Sequence, residues 1–187
     1  SFVEQQLLSS NERVGEFGAS QKALSQIQLL FNDSNDQGIA AGIDEFFKAW
    51  QDVATNPADL TARTVLLTKA DGLTKLLNQA GTQLGAQRIS LDGQIQSGIN
   101  DVNALAGKIA DLNSQIKLTE VSGQQANDLR DQRGRFLNDL AGLVDISSIE
   151  DATGQVTVFV GVGQVLVAEQ KAYKLTGVAN VANNGLL

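Results

Sequence analysis

The sequence predicts a mainly α fold: an elongated bundle of long antiparallel helices, followed by a small C-terminal antiparallel β-hairpin or meander, an α+β arrangement. Three observations carry this expectation. One heptad frame of apolar residues runs from Leu60 to Ile116 without an interrupting proline. Leu60, Leu67, Ile95, Val102, Ile109 and Ile116 occupy position a, and Leu77, Leu84, Leu91, Leu105 and Leu112 occupy d, the division that side-by-side helices favour. Aromatic residues make up only 5% of the chain, which suits aliphatic helix packing. After Asp145 the period changes abruptly to that of strands.

The elements follow in order. A first helix is expected over residues 2–31, with Val3, Leu7, Val14, Phe17, Leu24 and Phe31 as its apolar side and Asn32 to Gly38 as a polar turn. The acidic residues in that turn lack the glutamate that a calcium loop needs. A second helix over 39–54 sets Ile39, Ile43, Phe46, Phe47, Trp50 and Val53 on one broad face. Phe46, Phe47 and Trp50 concentrate the aromatic area, as a plug between helices or as a binding patch. The long helix is expected over 57–119, with Asn56 as its cap, Pro57 in its first turn and Asp59 favoured by its dipole. At about 1.5 Å per residue it would be on the order of 90 Å long, against a diameter near 40 Å for a compact chain of this size. Thr74, Gly81 and Arg88 at a, with Arg63, Ala70 and Gly98 at d, speak against an obligate two-stranded coiled coil. A break near Gly81 and Gly85 would have no reason to preserve the frame, so an unbroken helix is expected. Its six glycines each cost up to about 1 kcal/mol relative to alanine, tolerable where neighbouring helices of this chain or another subunit approach closely.

A shorter helix over 127–144, capped by Asn127 or Asp128, presents Leu129, Phe136, Leu137, Leu140 and Leu143 for burial. Its Asp128, Arg130, Asp131, Arg133, Arg135 and Asp139 sit at spacings that support a solvated charged face. Ile146–Ile149, Gln155–Val160 and Val165–Val167 read as strands, with Lys171–Thr176 as a fourth. Gly161 and Gly163 read as turn glycines, since no lysine-serine pair completes a phosphate loop. The expected organisation is therefore a helical bundle over 1–145, a β-meander over 146–176, and a linker toward a further domain over 177–187.

Composition excludes several classes of function. Cysteine and histidine are absent, so there is no thiolate nucleophile, imidazole base, disulfide or ordinary zinc site. No catalytic, cofactor-binding or metal-ligating residue is expected; a carboxylate hydrolase built on Asp128 and Asp131 is the weakest of the readings. A net charge of −7 opposes nucleic-acid binding and anionic membrane surfaces. No apolar stretch reaches the roughly 20 residues of a membrane span.

Four segments in collinear order carry a family resemblance. They are Phe46 to Arg63, with its aromatic pair and Asn56-Pro57; Ile99 to Ile116; Asn127 to Arg133 with Leu137, Leu140 and Val144; and Gln155 to Val167 with its glycine turn. Together they resemble the flagellar hook-associated protein 1 family of hook–filament junction proteins, with the family's terminal coiled segments outside these residues. The resemblance implies an axial structural protein that joins hook to filament by subunit packing. It implies self-assembly of the full-length protein, contacts with the hook protein and the second hook–filament junction protein, and an export chaperone. It further implies an extracellular place in the bacterial flagellum, reached through the flagellar type III apparatus without a cleaved signal. The alternative from the residues is a secreted helical binding module (an effector, adhesin or chaperone-like protein) acting through Phe46, Phe47 and Trp50.

Overall fold

The computed structural model describes residues 2–30 and 38–187. The expected helix end at Phe31 and the turn over 32–37 lie outside the described residues. Four helices precede a four-stranded sheet: α1 (Phe2–Leu30), α2 (Ile39–Thr55), α3 (Leu60–Val121), α4 (Asn127–Ala141), β1 (Ile146–Glu150), β2 (Val156–Val160), β3 (Gln164–Ala168) and β4 (Lys171–Ala172). A mainly α chain with a small antiparallel sheet is what the two periodicities predict, and α3 is unbroken through Gly81 and Gly85. Packing divides the chain into two units, residues 22–91 and residues 1–21 with 92–187.

In the unit of residues 22–91, α2 packs on the first half of α3. Gly42 allows the close approach: a Cβ there would lie 2.9 Å from Leu76 and 3.5 Å from Leu73. Ala49 is buried, and Lys69 of α3 reaches Glu45 of α2 at 2.6 Å, which holds the Glu45 carboxyl below its usual range. Phe46 is half-buried and meets the Phe47 ring edge-on at 5.4 Å. The aromatic group is not a core plug, because Phe47 and Trp50 are exposed.

Helix α3 begins three residues later than expected. Asn56 closes α2, donating its backbone N–H to Asp52, and its side chain makes no capping bond to α3 among the described residues. Asp59 opens α3 instead: its Oδ1 accepts from the N–H groups of Thr61 at 2.7 Å and Ala62 at 3.4 Å, an N-cap.

The other unit holds the larger core. Val102, Ala106, Ile109 and Ala110 of α3 and Leu140 and Ala141 of α4 pack with Ile146, Val156, Val158, Val160, Leu166 and Val167 of the sheet and Leu8 of α1. The sheet runs β1-β2-β3-β4, antiparallel throughout, with a bulge at Val158/Phe159. Strand β2 alternates buried and half-buried residues, as a sheet with one covered face requires. Gly161 and Gly163 take left-handed φ values of 56° and 100° in the β2–β3 turn, in keeping with their reading as turn glycines. Helix α4 stops at Ala141, short of Val144, and neither Asn127 nor Asp128 caps it; Ala126 holds the cap position without a side-chain bond. Residues 177–187 fold into a closed loop, with a bridge between Asn180 and Leu186 and a 3-10 turn over Val181–Asn183.

The heptad frame is buried along only part of its length. Val102, Ile109, Leu112 and Ile116 are buried, whereas Leu60, Leu67, Leu77 and Ile95 are exposed. A strict seven-residue repeat drifts by about 20° per heptad on a helix of 3.6 residues per turn, hence by roughly 160° across the eight heptads from Leu60 to Ile116. The stripe therefore winds around α3 and cannot all meet one core. On α1 the outcome is similar, with Val14, Phe17 and Leu24 exposed and Leu8 turned inward. Nor do other described residues press on the α3 glycines: among the described residues, a Cβ at Gly72, Gly81, Gly85, Gly93, Gly98 or Gly107 would meet nothing within 4 Å.

Candidate functional site

Two features stand apart from ordinary packing: a polar knot that ties the sheet to α3 and α4, and a set of large apolar side chains left in solvent. The knot is built on Asn113 and Arg133, both buried in the larger core. Asn113 lies on the inner face of α3, where a primary amide offers both a donor and an acceptor. Its Oδ1 accepts from the Val156 N–H at 3.0 Å while its Nδ2 donates to the Val156 carbonyl at 2.7 Å. The side chain thus pairs with β2 as a neighbouring strand would. Asn113 Nδ2 also donates to the Glu169 carbonyl at 2.7 Å, which fixes the β3–β4 turn. Ten residues back on the same helix, Asn103 repeats the device: it accepts from the Leu175 N–H at 2.8 Å and donates to the Leu175 carbonyl at 2.9 Å. Asp92 accepts from the Leu187 N–H at 2.6 Å. Three polar side chains of α3 therefore pin four points of the chain after Gln155: Val156, Glu169, Leu175 and Leu187.

Arg133 enters from α4 and is 3% exposed. It donates to Asn113 Oδ1 at 2.9 Å, to the Gly154 carbonyl at 2.6 Å and to Glu150 at 3.0 Å. Burial is the main influence on its guanidinium and pushes its pKa down, with Glu150 opposing. Arg130 sits one turn away and grips Glu120 with two bonds, at 2.8 and 3.0 Å, while a third bond joins it to Glu150. Its hydrogen bond is the first cause of the lowered Glu120 pKa. Gly154 closes the β1–β2 turn at φ 75°, and a Cβ there would collide with Arg130 and Glu120. In the same turn Asp151 Oδ1 accepts from the Thr153 hydroxyl and N–H, both at 2.7 Å, and from the Gln155 N–H at 3.0 Å. These bonds, the Thr153 hydroxyl foremost, hold the Asp151 carboxyl below its usual range. Gln155 is buried beside them with its Nε2 unpartnered among the described residues.

The charged run on α4 is thus divided, and the expectation of a wholly solvated face is corrected. Arg130 and Arg133 turn inward to Glu120 and Glu150, whereas Asp128, Asp131, Arg135 and Asp139 are exposed. The partners lie 10 to 20 residues away in sequence, beyond the reach of helix-spacing arguments. Asp128 and Asp131 are not assembled with other acids: among the described residues no group of three or more acidic side chains is placed to hold a metal ion. Nor is any described helix long and apolar enough to cross a membrane. The knot's chemistry is that of a clamp: Asn113, Arg130 and Arg133 are engaged in holding backbone or a counter-charge, and Gln155 Nε2 alone is unpartnered among the described buried side-chain atoms.

One set of the exposed large apolar side chains lies on three helices. It comprises Leu7, Val14, Phe17 and Leu24 on α1, Ile43, Phe47 and Trp50 on α2, and Leu60, Val65, Leu67, Leu77, Ile89 and Ile95 on α3. Phe47, Trp50, Leu60 and Leu67 fall within the segments that carry the family resemblance or the heptad frame.

Comparison with known proteins agrees with this architecture. The sequence matches the flagellar hook-associated protein FlgK helical domain over residues 24–186. It is 28% identical to flagellar hook-associated protein 1 of Bacillus subtilis over 153 residues, 82% of this chain and 30% of that protein. It is also 28% identical to flagellar hook-associated protein 1 of Salmonella typhimurium over 186 residues, 98% of this chain and 33% of that protein. The structure is similar to that of the flagellar hook junction protein FlgK from Burkholderia pseudomallei, with a TM-score of 0.74 and 29% identity, covering 94% of this chain and 31% of that one. The chain spans about a third of the length of the relatives it matches. With a family match across most of its residues, the chain belongs to the flagellar hook-associated protein FlgK helical domain family.

Proposed function

We propose that the protein is a structural component of the bacterial flagellum that joins hook to filament by packing of subunits and performs no catalysis. The observation that carries this reading is the exposure of the apolar stripes. Leu60 and Leu67 are 74% and 71% exposed at heptad position a, and Phe47 and Trp50 are 62% and 57% exposed on α2. Large apolar side chains in regular helical phase favour cover, and extended exposed sets of them mark contact surfaces. In an axial assembly that cover comes from neighbouring helices, which also gives the bare α3 glycines a use. The relatives are named for the hook and its junction, which supports the same placement.

Within this reading the full-length protein contacts further copies of itself, the hook protein and the second hook–filament junction protein. An export chaperone covers the apolar stripes before assembly, and the type III apparatus delivers the chain without a cleaved signal. Residues 177–187 lead on to a further domain. The polar knot keeps the sheet fixed to α3 and α4. The test is genetic: a strain lacking the gene should build hooks without attached filaments, and the full gene should restore them. Filaments attached normally in the deletion strain would overturn the proposal. A second reading, a secreted binding module acting through Phe46, Phe47 and Trp50, draws on the exposure of two of the three rings. It requires specific affinity for a non-flagellar protein that is lost on Trp50→Ala, while hook–filament attachment stays intact.

A further inference from the structure

Helix α1 keeps its large apolar side chains in solvent and docks by a narrow stripe. Among the described residues Leu8 is its one contribution to the larger core, Asn11 donates to Asn138 of α4 at 3.4 Å, and Gly15 meets Gly142 at the C-terminal end of α4. At 3.6 residues per turn these three positions fall within about 60° of one another around the helix. Val14 and Phe17, which are exposed, lie about 100° and 160° from the middle of that stripe.

The seat depends on a missing side chain. A Cβ at Gly15 would lie 2.2 Å from the Gly142 carbonyl oxygen and 3.0 Å from its carbonyl carbon. Non-bonded heavy atoms sit comfortably at about 3.5 Å, so a side chain at 15 would push α1 back by about 1 Å. The obstacle is backbone and has no rotamer through which to yield. Three residues on, a Cβ at Gly18 would meet nothing within 4 Å among the described residues. Toward its start α1 packs loosely: Leu7 and Leu8 line a groove of about 550 Å³ together with residues of α4, β1 and β2. The sheet has its own fastening to α3 and α4 through Asn113 and Arg133.

We propose that the first half of α1 is a releasable strap: Gly15 seats it against the end of α4, and loss of that seat lifts the helix while the core of α3, α4 and the sheet stays folded. Elements that bury few apolar contacts open at lower free energy than the core they lie on. The seat also sets which side of α1 faces solvent, because only the stripe of Leu8, Asn11 and Gly15 is narrow enough to approach Gly142. The inference goes beyond the junction assignment and does not rest on it, since it concerns the folding of this chain by itself.

The test uses thiol labelling. The chain has no cysteine and Leu8 is buried, so Leu8→Cys places a single protected thiol beneath the strap. Adding Gly15→Ala should speed its reaction with a maleimide by about tenfold or more. Adding Gly18→Ala, the same change at a position with open space, should leave the rate within about twofold. Amide exchange at Val158 and Val167, both buried in the sheet, should stay slow in both variants and so report an intact core. If Leu8→Cys itself prevents folding, amide exchange over residues 12–18 is compared between Gly15→Ala and Gly18→Ala in the cysteine-free chain, and the first should be faster by about tenfold. Equal rates in the two glycine variants would overturn the proposal. Loss of protection at Val158 and Val167 in Gly15→Ala alone would overturn it too, since the core would then depend on the strap.

Discussion

Asn113 and Arg133 show how two residues can decide whether a small sheet holds its place. An asparagine amide carries the same donor and acceptor as a peptide group, so Asn113 satisfies both backbone groups of Val156 from a helix. Truncating it leaves buried backbone groups unpaired at about 1–3 kcal/mol each, partly relieved by relaxation. Asn113→Ala is therefore expected to cost about 3 kcal/mol, measured by urea denaturation. Arg133→Ala should cost a similar amount, about 3 kcal/mol, because it strips Asn113, Gly154 and Glu150 of one donor group. Arg135→Ala, two residues on and exposed, should stay within about 0.5 kcal/mol. Equal effects at 133 and 135 would contradict the clamp. Acid sensitivity follows from the same residues. The carboxyls of Glu120 and Asp151 are depressed in the folded chain, by the Arg130 and Thr153 bonds respectively. Their stabilisation is complete above the unfolded carboxylate pKa of about 4 and is lost as pH falls through the lower folded values. The urea midpoint should hold from about pH 7 to 5 on account of these groups and fall below about pH 4. Glu120→Gln should make that acid limb shallower; an unchanged limb would show that the Arg130 bond contributes nothing.

At the scale of elements, helix starts were legible to within a few residues and their caps were not. Asn56, Pro57 and Asp59 all signal a helix start, but Asn56 also terminates α2, and only the three-dimensional chain shows which duty it performs. Asp59→Ala is accordingly expected to cost about 1 kcal/mol and Asn56→Ala less than about 0.5. The reverse order in thermal denaturation would restore the earlier start. The glycines of α3 allow a sharper test. A Cβ at Gly81 or Gly93 meets nothing within 4 Å among the described residues, so alanine there should stabilise the chain by up to about 1 kcal/mol. If close approach of a neighbouring subunit needs those positions, the same variants should restore filament attachment poorly in a deletion strain. Heptad phase proved a good guide to which residues are apolar and helical, and a poor guide to burial in this chain. A repeat records the need for cover, whoever supplies it, and its drift around α3 places Leu60 and Ile116 on different sides. The inward turn of Arg130 and Arg133 was illegible for another reason: their partners Glu120 and Glu150 belong to other elements, and only the docked sheet brings them near.

For the molecule as a whole, element order and family were readable from four collinear segments, because each is tied to a local necessity such as a helix start, a buried helix face or a glycine turn. The grouping of residues 1–21 with 92–187 was not, since it depends on Leu8 meeting a core that forms more than ninety residues later in sequence. The proposed role is architectural: under it, this chain belongs at the boundary between hook and filament and acts there by contact alone. The chain has no cysteine, and Val162 at the β2–β3 tip is fully exposed, so Val162→Cys gives one label site clear of the core. Electron microscopy of purified flagella from cells carrying this variant, decorated with maleimide-gold, should show one compact band of label where hook meets filament. Label along the filament, or flagella that carry none, would contradict the account.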